Sequence, residues 1–167
     1  MTSLFPHPLY AEDQPYARTI LYLHVIRASA MSFSFFSLAQ FPVSIVATRY
    51  RKLPIDYSAI LVRTLKTSSR GLVLGTVAGA FMVWGRMRGR DEIEWKDRSW
   101  RVLENNGEMK TDWVTVAGAG VGAVAGLVAA RRGGVTVGTA VLGGAGVGMA
   151  SGVPYMIASF ATGRKPA

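Results

Sequence analysis

Glycine recurs at a four-residue step in three separate stretches of this chain: Gly71, Gly75 and Gly79; Gly118, Gly122 and Gly126; and Gly144, Gly148 and Gly152, which Ala140 extends at the same spacing. On an α-helix that step keeps each set on one side, because neighbours on a helical face stand three or four positions apart. In water such helices would be poor designs, since each interior glycine costs about 1 kcal/mol relative to alanine. In a bilayer the backbone must satisfy its own hydrogen bonds, so an apolar glycine-rich stretch stays helical. There the missing side chains let two helix axes come close, and dispersion between backbones replaces the absent hydrophobic drive. A flexible linker is the rival reading, but Val, Leu, Ala and Met fill the gaps rather than Ser, Gln or charge. The expected fold is therefore an all-α membrane protein, with four transmembrane helices packed through glycine zippers.

At 167 residues the chain is one domain, and its apolar half is unevenly spread: all 19 glycines lie at or after Gly71. It has no cysteine, which excludes disulfides, thiolate catalysis and cysteine metal sites. His7 and His24 are the only imidazoles, and no HExxH-like pair exists, so no metal site is expected. The net charge of +9 invites a nucleic-acid reading, but Arg49, Arg51, Lys52, Arg63, Lys66, Arg70, Arg131 and Arg132 flank apolar segments, where cations meet lipid headgroups. The stretch from Arg86 to Asp112 is balanced, with seven basic and seven acidic residues. Nucleic acid is not an expected partner. The start, MTSLFPHPLYAEDQPYARTI, lacks the basic region and apolar run of a secretory signal, and its acids and late first arginine do not suit a transit peptide. An organellar address is expected to be internal.

Residues 1–17 carry Pro6, Pro8 and Pro15 and are expected to form an extended arm, either lying on a partner or loosely ordered. The first crossing is expected over 28–48, an uncharged run of 21 residues against the ~20 that a bilayer needs. Ser29, Ser32, Ser34 and Ser37 give it small polar contacts, and Pro42 is a kink site. Arg27, just before this run, is either an intramembrane functional charge or, as is commoner, a cation that snorkels to the interface. Asp56 is a candidate helix N-cap. Beyond it Arg63, Lys66 and Arg70 form a cationic stripe, either ordinary headgroup snorkelling or an anionic-lipid site, for instance for cardiolipin. The second crossing is expected over 64–86, where Gly71 to Gly85 is free of charge and Trp84 marks the interface.

A charged loop, 87–112, follows. It has the composition of a short surface helix whose Trp95 and Trp100 dock on a neighbour or lie at the interface, and Asn105-Asn106-Gly107 reads as a turn. Its carboxylates sit among as many cations, which points to a solvated salt-bridged face rather than to catalysis. The third crossing, 113–130, is expected to be capped by Asp112 and to end at Arg131-Arg132; Gly133-Gly134 turns the chain into the fourth, 135–162, with a kink at Pro154 and a tail over 164–167. Gly118-Ala119-Gly120 and Gly146-Val147-Gly148 superficially resemble dinucleotide loops, yet neither completes GxGxxG after a strand.

With four crossings, one side of the membrane receives eight Lys/Arg and one acid, and the other, with both termini, ten Lys/Arg besides Arg27 and nine acids. By Lys/Arg density in short loops the first side is the inside. Every Asp and Glu is expected outside the apolar runs, so a carboxylate relay within the bilayer is not expected.

Glycine-laddered helices in four short crossings with a basic first loop resemble the mitochondrial inner-membrane translocase family of the Tim channel-forming type, and its relatives among accessory membrane subunits of respiratory complex I, over roughly residues 20–163. That family's stretch between helices two and three has an arginine four residues before an aspartate, with glycines following. Asp112 and the glycines from Gly118 fit it, but Glu108 stands where the arginine would be. The segment LFPHPLYAEDQPYARTI, leading into a serine- and phenylalanine-rich helix, is similar to small fungal complex I membrane subunits. The resemblance implies a non-catalytic accessory subunit of the membrane arm of mitochondrial NADH:ubiquinone oxidoreductase, without a redox cofactor of its own. It further implies the inner membrane, the termini in the intermembrane space, and neighbouring membrane subunits and lipids as partners. The alternative it carries is a component of a protein translocase.

Overall fold

The structure is a computed structural model describing residues 4–131 and 133–162. Among the described residues seven α-helices follow a short 3-10 turn at Ala11–Asp13: α1 Ala17–Leu38, α2 Gln40–Tyr50, α3 Tyr57–Met87, α4 Glu92–Glu104, α5 Asn106–Ala130, α6 Val137–Met149 and α7 Gly152–Ala161. No strand occurs among the described residues. Expectations for Arg132 and for the 164–167 tail lie outside the described residues.

Three helix starts have side-chain caps of the kind that satisfies orphan amides, among them α6, where the Thr136 hydroxyl accepts from the Thr139 amide. The Asp56 carboxylate accepts from the Ser58 and Ala59 amides at the head of α3. Its pKa lies below the usual aspartate range because the Ser58 hydroxyl, and then the Ala59 amide, bond its charged form. At the head of α5 the cap is Asn105, whose side chain accepts from the Gly107 and Glu108 amides. That corrects two expectations. Asp112 is not the cap, and Asn105-Asn106-Gly107 opens a helix instead of making a free turn, because an asparagine oxygen can take the first amides and start the helix early.

Two prolines set the breaks. Pro42 has no N–H to offer the Leu38 carbonyl, and the chain steps from α1 to α2 at Ala39, whose amide bonds Phe36. Pro154 cannot reach the Ala150 carbonyl, which accepts from Val153 at 3.2 Å, and α6 gives way to α7 there. Between α5 and α6 the turn uses Gly133 and Gly134 at φ +82° and +88°, a region that side chains disfavour.

The helices pack as two close pairs, α1 with α3 and α5 with α6, and α6 joins them by also contacting α3 and α1. By length and composition three helical stretches can cross a membrane: Ala17–Tyr50, Asn106–Ala130 and Val137–Ala161. The stretch α3, expected as a crossing over 64–86, is the longest single helix at 31 residues, but it carries Arg63, Lys66, Arg70 and Arg86 and is not among those three.

The amino-terminal segment folds back on the charged loop, which is mostly helix α4. Trp100 Nε1 donates to the Pro8 carbonyl at 2.9 Å, His7 stacks on the Trp100 ring, and Lys96 Nζ donates to the Glu12 carbonyl at 2.7 Å. Buried Gln14 ties the segment together through Pro6 and Pro15. Trp95 is buried against Ala17, Leu21, Val83 and Met87, with Tyr22 stacked on it. So the two tryptophans, expected to dock on a neighbour or lie at the interface, are engaged by this chain's own arm and first helix, which gives the arm partners it would otherwise lack.

Candidate functional site

Polar chemistry inside this apolar bundle gathers where α1 passes the start of α5. His24, Arg27 and Met31 fall on one face of α1 at steps of three and four, and Glu108, Asp112 and Thr115 fall on one face of α5 at steps of four and three. Laid side by side, those faces meet. The Arg27 side chain is 3% exposed; its Nε lies 2.7 Å from Asp112 Oδ1 and its Nη2 lies 3.1 Å from Glu108 Oε2. Asp112 is fully buried, whereas the Glu108 side chain is 31% exposed. His24 Nδ1 stands 3.4 Å from Arg27 Nη2, and Met31 Sδ is approached by both Arg27 Nη1 and the Thr115 hydroxyl.

This overturns the commoner reading of Arg27, a cation that snorkels to the interface, whereas Glu108 and Asp112 lie outside the uncharged run 113–130 as expected but belong to the helix that leads into it. Helix α5 begins at Asn106, so Glu108 and Asp112 are helical residues facing α1. A buried guanidinium is costly unless its charge is met by good partners, and two carboxylates here meet it. His24, Glu108 and Asp112 also bring metal-ligating atoms within 4.8 Å of one another, a convergence the sequence did not reveal. Arg27 already stands among them as the positive charge, so the set works as an ion-paired clasp between α1 and α5. Beside the clasp a cavity of about 380 Å³ opens between α5 and α7, lined by Glu108, Lys110, Thr111, Tyr155, Ser159 and Phe160.

The laddered glycines lie at helix contacts. A Cβ on Gly71 would fall 2.9 Å from Ser37 Cβ, on Gly75 2.7 Å from Ala30 Cα, and on Gly79 2.8 Å from Ile26 Cα, all on α1. On α5, added side chains at Gly118, Gly122 and Gly126 would overlap the carbonyls of Gly148, Gly144 and Ala140 on α6, and Gly152 faces Thr115 and Met31. Two contacts outside the ladders escaped the sequence reading. Gly143 abuts the Leu65 backbone and Gly146 abuts Ser68, both on α3. An (i, i+3) pair of glycines was the available signal.

The expected cationic stripe lies exposed along one helix. Arg63, Lys66 and Arg70 are all exposed on α3. Arg63 lines a groove of about 300 Å³ against α2, together with Asp56, Ser44 and Phe41, and the other two do not line it.

Residues 10–153 match the family described as "Protein of unknown function (DUF1757)". The chain belongs to that family. The matched region spans both sides of the clasp, and therefore α1 through α6 of the DUF1757 fold. No curated protein matches the chain.

Proposed function

We propose that the protein is a non-catalytic accessory subunit of the membrane arm of mitochondrial NADH:ubiquinone oxidoreductase, contributing to assembly or stability within the inner membrane. The observation that carries this reading is that the charge cluster between α1 and α5 is satisfied inside the bundle while the phenylalanines of α1 and α2 face outward. Arg27 is spent on Asp112 and Glu108, while Phe33, Phe35, Phe36 and Phe41 are exposed on the outer faces of α1 and α2. Exposed apolar helix faces of that kind suit lipid and neighbouring membrane helices.

In this reading four helices cross, α3 among them. Its support is the antiparallel run of α3 along α1, where the contacts of Gly71, Gly75 and Gly79 step back from Ser37 to Ile26. The glycine contacts are the zippers that hold the crossings together, with the termini in the intermembrane space. Arg63, Lys66 and Arg70 then lie near the opposite headgroups, where anionic lipid such as cardiolipin gathers.

The test is a native gel of mild-detergent extracts from the source membranes. The protein is expected to comigrate with NADH dehydrogenase activity. Comigration with a protein-import channel, or migration alone, would overturn the assignment, the former in favour of a translocase component.

A further inference from the structure

We propose that the groove where α4 lies across the ends of α1 and α3 is a binding site for an anionic phospholipid of the surrounding membrane. The groove, about 780 Å³, has an apolar floor of Leu21, Val25, Val83 and Met87. Its rim carries Arg86 from α3 and Arg98 and Arg101 from α4, against one acid, Asp97. Asp97 is engaged by Arg101 at 3.1 Å, which leaves Arg86 and Arg98 with no side-chain partner among the described residues.

Charge and apolar surface are thus arranged as a phospholipid presents them. Guanidinium groups bind phosphate oxygens through paired N–H donors, and acyl chains favour the kind of floor these side chains make. Depth agrees as well. The uncharged run of α3 ends at Gly85, exposed Trp84 marks that level, and the Arg88 guanidinium stacks over its ring at 5.1 Å. Aromatic rings and arginines at such a level belong to the headgroup layer. The site stands on the other side of the bilayer from Arg63, Lys66 and Arg70 if α3 crosses. It rests on the membrane reading and not on the respiratory assignment.

Native mass spectrometry of the detergent-purified full chain, titrated with diphosphatidylglycerol, phosphatidylglycerol or phosphatidylcholine, tests the proposal. The two anionic lipids should be retained in preference to phosphatidylcholine. Near a membrane surface each cation contributes about a factor of five, so Arg86→Gln with Arg98→Gln should weaken retention about 30-fold. Arg49→Gln with Arg51→Gln, exposed cations that do not reach the groove, should leave it within about twofold. Equal loss in both variants, or none in the first, overturns the site. Should the arginine variant fail to fold, Met82→Trp fills the groove from its exposed edge with every charge kept, and unchanged retention then overturns the proposal. A chain soluble without detergent would defeat the membrane reading itself, an outcome distinct from a detergent-dependent chain that ignores anionic lipid.

Discussion

Arg27 sits at 3% exposure between two helices, and its environment is tolerable because Asp112 and Glu108 both reach it. The two acids are not equivalent. Asp112 is wholly enclosed, so its pairing with Arg27 is unscreened, while Glu108 is partly open to solvent, which weakens its share. Replacing Asp112→Asn should destabilise the bundle by about 3–5 kcal/mol, since it leaves a buried guanidinium short of its main counter-charge. Glu108→Gln should do less. The joint replacement Arg27→Met with Asp112→Leu should recover most of the loss, because an apolar pair leaves no charge stranded. Thermal unfolding of the four chains in one detergent checks the order, and an Asp112→Asn chain that melts with the parent would remove the clasp from the account. Here the sequence was least informative. It displays Arg27 and Asp112 as the edges of uncharged runs, yet the meeting of Arg27 with Glu108 joins positions 81 residues apart. Helical spacing places residues on a face; it does not say which face of another helix will oppose it.

At the scale of whole helices, α6 carries five glycines in 13 residues and lies against α5, α3 and α1 at once. One of its faces, Gly144 and Gly148, lies on α5, and another, Gly143 and Gly146, lies on α3. Ser34 and Ser68, both fully buried, are small enough to let α1 and α3 close around Gly146. Backbone approach of this kind leaves no room for relaxation, because the atoms that would have to move are carbonyls and not flexible side-chain ends. Gly122→Leu and Gly143→Leu should each cost about 3 kcal/mol or more and lower the yield of assembled protein. Gly120→Leu, where nothing lies near an added Cβ, should be well tolerated. Size-exclusion profiles of the three variants discriminate, and a parent-like profile for Gly122→Leu would argue against close contact between α5 and α6. The ladders were legible because a four-residue step is a local rule, as were the Asp56 cap and the breaks near Pro42 and Pro154. The start of α5 was not. Charge was taken to mark a helix end there, whereas Glu108 and Asp112 are accommodated inside the helix by a partner on α1.

For the molecule as a whole, the membrane reading turns on how α3 meets the bilayer. Its 31 residues span about 46 Å, well beyond a hydrocarbon core of about 30 Å. Lys66 and Arg86 stand 20 residues apart, which is about 30 Å along the axis, so each can sit at one boundary of that core. Arg70 lies one turn further in and needs only the reach of its own side chain to join the headgroups. A helix with its cations spaced in this way can cross, and α1 and α6 already line it on the inside. If it crosses, the α2–α3 connection and α4 are on opposite sides. The chain's lack of cysteine makes this directly testable, since each introduced thiol is unique. Leu53→Cys and Ile93→Cys place thiols at exposed positions before and after α3. In sealed, oriented vesicles an impermeant maleimide should label one of them from outside and the other only after permeabilisation. On the four-crossing reading proposed above, the density of Lys and Arg in the short connections puts Leu53 on the inside. Labelling of both thiols from the same side would place α3 along the membrane surface, and would detach the Arg86–Arg98 groove from the headgroup layer on which its lipid depends.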